Sequence, residues 1–175
     1  MNANVAILDL DAEAKPPCAE KLSEINDSLQ ARERLLTATA RASRLLLEAD
    51  NVRGAIPPVL GLICDAAHVD RVNVMEARVG PNGEPLLVMM SEWTAEGVTP
   101  YLQDASSFCC DERNFSDVCA QLRAGRSVCF STNENSASSG IEGIGTQTKA
   151  IVPIFVAGDF IGIVGFDNTR QHRAI

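Results

Sequence analysis

The sequence predicts an α+β sandwich, with N-terminal helices packed on a sheet whose interior is an apolar hairpin near the C-terminal end. Three observations lead there. Residues 149–168 hold two apolar runs joined by a tight turn at Gly158-Asp159, which is the pattern of a β-hairpin. In the first run Ala150, Val152, Ile154 and Val156 alternate with Ile151, Pro153 and Phe155, so neither face is clearly polar. Such a pair belongs in the middle of a sheet covered on both sides. Residues 20–48 contain no Gly or Pro and are rich in Leu, Ala, Glu and Arg, which favours one long helix.

Composition narrows the class. The chain has 175 residues, 46% of them hydrophobic and 22% charged, enough for one domain with a sizeable core. A net charge of -8 argues against a general nucleic-acid binder, because phosphate contacts need clustered Lys and Arg. No apolar stretch approaches the roughly 20 residues needed to span a bilayer, and residues 1–15 lack the basic region and apolar core of a signal peptide. The six cysteines (Cys18, Cys64, Cys109, Cys110, Cys119, Cys129) are therefore expected as thiols in a reducing, cytoplasmic compartment.

Residues 1–19 read as a tail or linker closed by Pro16-Pro17. In the long helix that follows, spanning residues 20–50 with its end, Leu22, Ile25, Leu29, Leu36 and Leu46 share one seam, interrupted by Arg32, Thr39 and Ser43. At 1.5 Å per residue the run is about 40 Å long, more than one sheet face of a small domain requires. Leu35, Leu36, Ala38, Ala42, Leu45 and Leu46 are expected nearer the core, while Leu22, Ile25 and Leu29 protrude. An exposed leucine seam wants a partner, most simply a second copy, so Leu22, Ile25, Leu29 and Leu36 are the candidate dimer contacts. A second helix is expected over residues 52–67, in which Pro57-Pro58 is awkward but tolerable if it falls in the first turn.

Strand signals begin at Val69 and run to Val79; Gly80-Pro81-Asn82-Gly83 is a turn, and residues 86–93 return. Residues 115–124 read as a short helix ended by Gly125, residues 126–131 as a short strand, and residues 132–145 as a flexible loop. The excursion between Trp93 and Arg126 is long, and it must fold over something to satisfy its backbone. Trp93, Tyr101, Phe108 and Phe115 could wall an apolar site there, with Arg71, Asn73, Ser91 and Thr94 as polar contacts and Cys119 beside them. The same residues could equally form a secondary core that seals one face of the sheet.

Catalytic signatures are sparse. His68 and His172 have no Cys or carboxylate at a metal-like spacing, which argues against a metal site. Gly140, Gly143 and Gly145 form G-x-x-G-x-G, but without a lysine and before a strand, so a turn is the reading. Ser131 has no histidine base.

The helix at residues 34–48, the Asp70-Arg71-Val72-Asn73-Val74 strand start, Ser91-Glu92-Trp93, and above all Ile151-Val152-Pro153-Ile154 followed by Gly158 and Gly162-Ile163-Val164-Gly165-Phe166-Asp167 resemble the GAF domain of bacterial signal-transduction proteins. The resemblance covers residues 35–168. It implies an antiparallel sheet of five to six strands, with the N-terminal helices on one face and a short helix and loops over the other. It also implies a sensor domain at residues 51–175, lacking the family's C-terminal helix, that pairs through its helices and carries no activity of its own. The chain is then expected to be a piece of a longer protein, in which an unidentified small effector is read out by covalently linked signalling domains. Bilin-binding members attach the pigment through a cysteine typically followed by histidine, a neighbour none of the six cysteines has, and haem would want a pocket histidine; the sequence thus speaks against bilin, haem and metal alike. Two alternatives remain open: a thiol enzyme similar to free methionine sulfoxide reductases, using Cys109, Cys110, Cys119 and Cys129, and a ligand-free dimerisation module.

Overall fold

A computed structural model describes residues 17–101, 109–111, 116–131 and 145–170. The tail at residues 1–16, Phe108, Phe115, His172 and most of the loop at residues 132–145 lie outside the described residues. The described chain forms helices α1 (Pro17–Glu48), α2 (Val52–Ala67) and α3 (Ser116–Arg123) and strands β1 (Arg71–Val79), β2 (Pro85–Thr94), β3 (Cys109–Asp111), β4 (Val128–Ser131), β5 (Thr148–Val156) and β6 (Asp159–Asn168). The strands make one six-stranded sheet in the order β3-β2-β1-β6-β5-β4, with every neighbouring pair antiparallel. This is the expected α+β sandwich, and the hairpin β5–β6 is interior, since each strand has a neighbour on both sides.

Local chemistry sets the boundaries. Pro17 opens α1 instead of closing a tail, as a first helical position allows. Asn51 caps α2, its side chain accepting from the Gly54 N–H, and His68 ends it in the left-handed conformation. Pro57 and Pro58 fall inside α2 and not in its first turn. Two i→i−4 bonds are therefore missing, to the carbonyls of Arg53 and Gly54, but all four residues are exposed and water can reach the carbonyls. The β5–β6 turn is centred one residue earlier than expected, on Ala157 and Gly158 with φ of 51° and 93°, as a two-residue hairpin of the primed type requires. Gly162 is a glycine because a Cβ there would run into the Met75 carbonyl of β1.

Two cores lie on opposite faces. On the first, Leu60 and Cys64 of α2 pack with Val69, Val72, Val74, Trp93, Val164 and Phe166. On the second, Leu122 of α3 packs with Met75, Leu87, Ile151 and Ile163, flanked by Met89, Val128 and Phe160. Helix α2 covers β1 and β2, and α1 packs on α2 through the small residues Ala38 and Ala42. Leu35, Leu36 and Leu45 do not join that contact: they are exposed, Leu36 at 72%. The hairpin is not covered along its whole length, for Val152, Phe155, Val156 and Ile161 are exposed towards its outer end, Val156 at 57%. The reason is the placement of α2 over β1 and β2, away from β5.

Candidate functional site

The α3-side face carries a buried polar cluster next to the second core. Arg71, the first residue of β1, has no solvent exposure. Strand register places it directly opposite Asp167 of β6 and Thr94 of β2, while Lys149 of β5 stands opposite Asp167 on the other side. A charge in the middle of a sheet must be neutralised and hydrogen-bonded where it stands. Arg71 Nε donates to Asp167 Oδ2 at 2.9 Å, Nη1 to the Thr99 carbonyl at 2.9 Å, and Nη2 to Thr146 Oγ1 at 2.8 Å. The Tyr101 ring lies over the guanidinium, its centroid 3.5 Å from Cζ.

Tyr101 closes the cluster. Its hydroxyl donates to Asp167 Oδ2 at 3.0 Å and lies 3.1 Å from Thr146 Oγ1, while its backbone N–H donates to Glu92 Oε1 at 3.0 Å. Burial pushes the Tyr101 phenol well above its ordinary value, and the Asp167 charge adds to this against the opposing pull of Arg71. Glu92 Oε1 stands 3.8 Å from Arg71 Nε, and Lys149 Nζ stands 3.4 Å from Asp167 Oδ1. Two cations, Arg71 fully buried and Lys149 partly so, thus face two carboxylates with buried side chains. Residues from three separate stretches (β6, residues 99–101 and residue 146) are pinned to one guanidinium.

Among the described residues, two buried polar atoms of this cluster make no hydrogen bond: Asn73 Nδ2 and Asp167 Oδ1, the latter facing only the Lys149 ammonium. Asn73 is 1% exposed and stands opposite Gly165 and Glu92 in the register. A Cβ on Gly165 would lie 2.7 Å from Asn73 Oδ1, so the glycine is what lets the amide lie against the sheet.

Of the residues singled out in the sequence, Arg71 and Tyr101 touch, Asn73 adjoins them, and Cys119 is buried with Leu122 on the inner side of α3 over the same face. Ser91 and Trp93 are on the opposite face. Between Val74 and Met75 the pairing to β2 slips from Ser91 to Met89, so Met90 is an extra residue that reverses the alternation. Leu87 and Met89 therefore join the second core, whereas Trp93 joins the first with its indole against Gly61 of α2. Thr94, expected as a polar contact, does stand opposite Arg71, while Glu92 takes the place expected of Ser91. Glu92, Thr146, Lys149 and Asp167 were not singled out from the sequence. The usable signal for Lys149 and Asp167 was a charge inside an otherwise apolar strand.

The thiols differ in setting. Cys64 is fully buried and donates to the Val69 carbonyl, and burial, then the charges of Asp65 and Asp70, push its pKa up to about 12, so it stays protonated. Cys129 is exposed. Cys109 and Cys110 pair as backbone with Val88 and Leu87 at the sheet edge. Among the described residues no three His, Cys, Asp or Glu side chains are grouped to hold a metal ion.

No protein-family profile matches the chain. It is 29% identical over 156 residues to the methanogenesis regulatory histidine kinase FilI of Methanothrix harundinacea, covering 87% of this chain and 17% of the kinase. The chain thus spans less than a fifth of that relative's length. Among solved structures it resembles a far-red-absorbing dark state with bound biliverdin (TM-score 0.61, 11% identity, 79% of this chain and 86% of that one). It also resembles the phycocyanobilin-bound GAF domain of a cyanobacterial phytochrome (TM-score 0.59, 13% identity, 83% of each chain). These two structures overturn the sequence argument against a bilin: the same fold holds biliverdin in one and phycocyanobilin in the other. That argument rested on the neighbour of a linking cysteine, which bears on a covalent bond to the pigment and not on the capacity of the fold to enclose one. With its helix-backed antiparallel sheet and its matches to these structures, this chain has the fold of a GAF domain.

Proposed function

We propose that the chain is a regulatory, small-molecule-sensing and dimerising module of a signal-transduction protein, without catalysis of its own. One observation carries the reading: Arg71 and Asp167 on adjacent central strands hold Thr99, Tyr101 and Thr146, so the segments flanking the α3-side face are latched to the sheet at one point. An effector that binds this face more tightly in one latch state than the other shifts the population of that state. The helices would carry the shift to a linked output domain, with a coupling of about 1–3 kcal/mol. The similarity to a histidine kinase supports a kinase-type output.

The test is to release and identify small molecules from the purified protein by mass spectrometry, and to titrate the emptied protein with what is found. A genuine effector at 100 times its Kd should stabilise the fold by about 2.7 kcal/mol. Biliverdin belongs in the panel, read by a new visible absorbance band. If no compound is retained and none in a metabolite panel shifts the melting temperature, the sensing role is wrong and only a dimerisation role survives.

A further inference from the structure

Two buried polar atoms specify a ligand chemistry. Among the described residues Asn73 Nδ2 is a donor without an acceptor, and Asp167 Oδ1 accepts no hydrogen bond and has only the Lys149 ammonium 3.4 Å away, both atoms being shielded from solvent. Asn73 is paired with Gly165, two residues before Asp167 on the same strand, so the two side chains are diagonal neighbours on the α3-side face. Buried polar groups are almost always satisfied, because a buried donor or acceptor left without a partner has lost its water for nothing in return. A donor with no acceptor, diagonal to a carboxylate oxygen that accepts no hydrogen bond, calls for one partner that offers both an acceptor and a donor.

The surroundings fix the rest of that partner. Each guanidinium nitrogen of Arg71 already has a protein acceptor, and Lys149 lies against the Asp167 carboxylate. The formal charges of Arg71, Lys149, Glu92 and Asp167 cancel, so the cluster has no surplus cation for a phosphate or carboxylate. Beyond Asn73 the face becomes apolar, with Met75, Ile151 and Ile163. Resting on the small-molecule reading above, we infer that the site takes a neutral ligand with a cyclic amide edge, a carbonyl beside an N–H, whose oxygen accepts from Asn73 Nδ2 and whose N–H donates to Asp167 Oδ1. The ligand's apolar body lies towards Met75.

Three probes of similar size test this by calorimetry or ligand-observed NMR: 2-pyridone, which carries the edge; 2-methoxypyridine, which lacks the N–H; and benzoate, which is anionic. We expect 2-pyridone to bind at least tenfold tighter than either. Asn73→Leu should abolish that preference while leaving the melting temperature of the unliganded protein unchanged or higher, because it removes an unpaired donor at similar volume. A residue with only a structural role would not give that combination, and Asn73→Ala, which adds no bulk, repeats the binding measurement should the leucine variant not fold. Equal affinity for 2-pyridone and 2-methoxypyridine, or a preference that survives in both variants, overturns the inference; a water then bridges the two atoms. A retained compound without such an edge overturns it too, yet leaves the sensing role standing. Failure of every probe together with the absence of any retained compound removes both.

Discussion

Arg71 is the residue through which the polar face is held, since its nitrogens and its π-face are all engaged by different segments. Replacing it with Met would leave the buried Asp167 carboxylate with Lys149 as its one cationic neighbour among the described residues. The expected loss is about 3–5 kcal/mol, the scale for removing one partner of a buried pair, read as a lower midpoint in urea unfolding. Tyr101→Phe keeps the ring over the guanidinium but removes the hydroxyl bonds to Asp167 and Thr146, with an expected cost of about 1 kcal/mol. If the two substitutions cost the same, the ion pair is not what holds the segments. At this scale the sequence was half legible. Arg71 and Asn73 stood out as polar residues alternating with valines, but Asp167 and Lys149 were read as parts of an apolar hairpin, because the register that brings them beside Arg71 is not written in either strand alone.

The elements were legible where local chemistry decides them. α2, its Asn51 cap and its left-handed end at His68, and the β1–β2 turn follow from residues within a few positions of each other. What local pattern could not supply was the extra residue in β2: alternation places Leu87, Met89, Ser91 and Trp93 together, and the slip at Met90 separates them. Between elements, Asp70 joins the beginning of β1 to the end of β6. One of its oxygens accepts from the backbone N–H groups of Thr169 and Arg170 at 2.7 and 3.0 Å and from the Thr169 hydroxyl at 3.2 Å. Partial burial alone would raise its pKa; these bonds and the Arg170 charge outweigh it and hold the carboxyl below its ordinary 3.8. A lowered folded-state pKa gives stability that is present above pH 3.8 and lost as the pH falls through the folded value. Asp70→Asn should therefore show a shallower loss of stability than the parent on acidification below pH 4, measured by urea unfolding at a series of pH values; parallel curves would show that Asp70 contributes nothing there.

For the whole molecule, α1 is the part that the sheet does not use. Its N-terminal half is exposed along Leu22, Ile25 and Leu29, the last at 58%, and Leu36 continues the exposed apolar surface. Pairing with a second α1 is the arrangement that would bury this seam. Sedimentation at high micromolar concentration is expected to give a dimer, and Leu22→Glu with Leu29→Glu a monomer whose melting temperature at low concentration is unchanged. A monomeric parent would sink the pairing. The fold class was legible at this scale because two apolar strands with no polar face can only be interior, and the long helix had more length than one small sheet can cover.

The Asp70 tether has a mechanical consequence. Arg71 follows Asp70 directly, and Asp167 precedes Thr169 by two residues, so the knot at the end of the sheet and the Arg71–Asp167 rung share the same few backbone bonds. Arg170 is anchored a second time, through its guanidinium to the Glu96 carbonyl. Tension applied to the chain beyond residue 170 would therefore be delivered within a few ångströms of the rung that grips Tyr101, with no long lever between pull and grip.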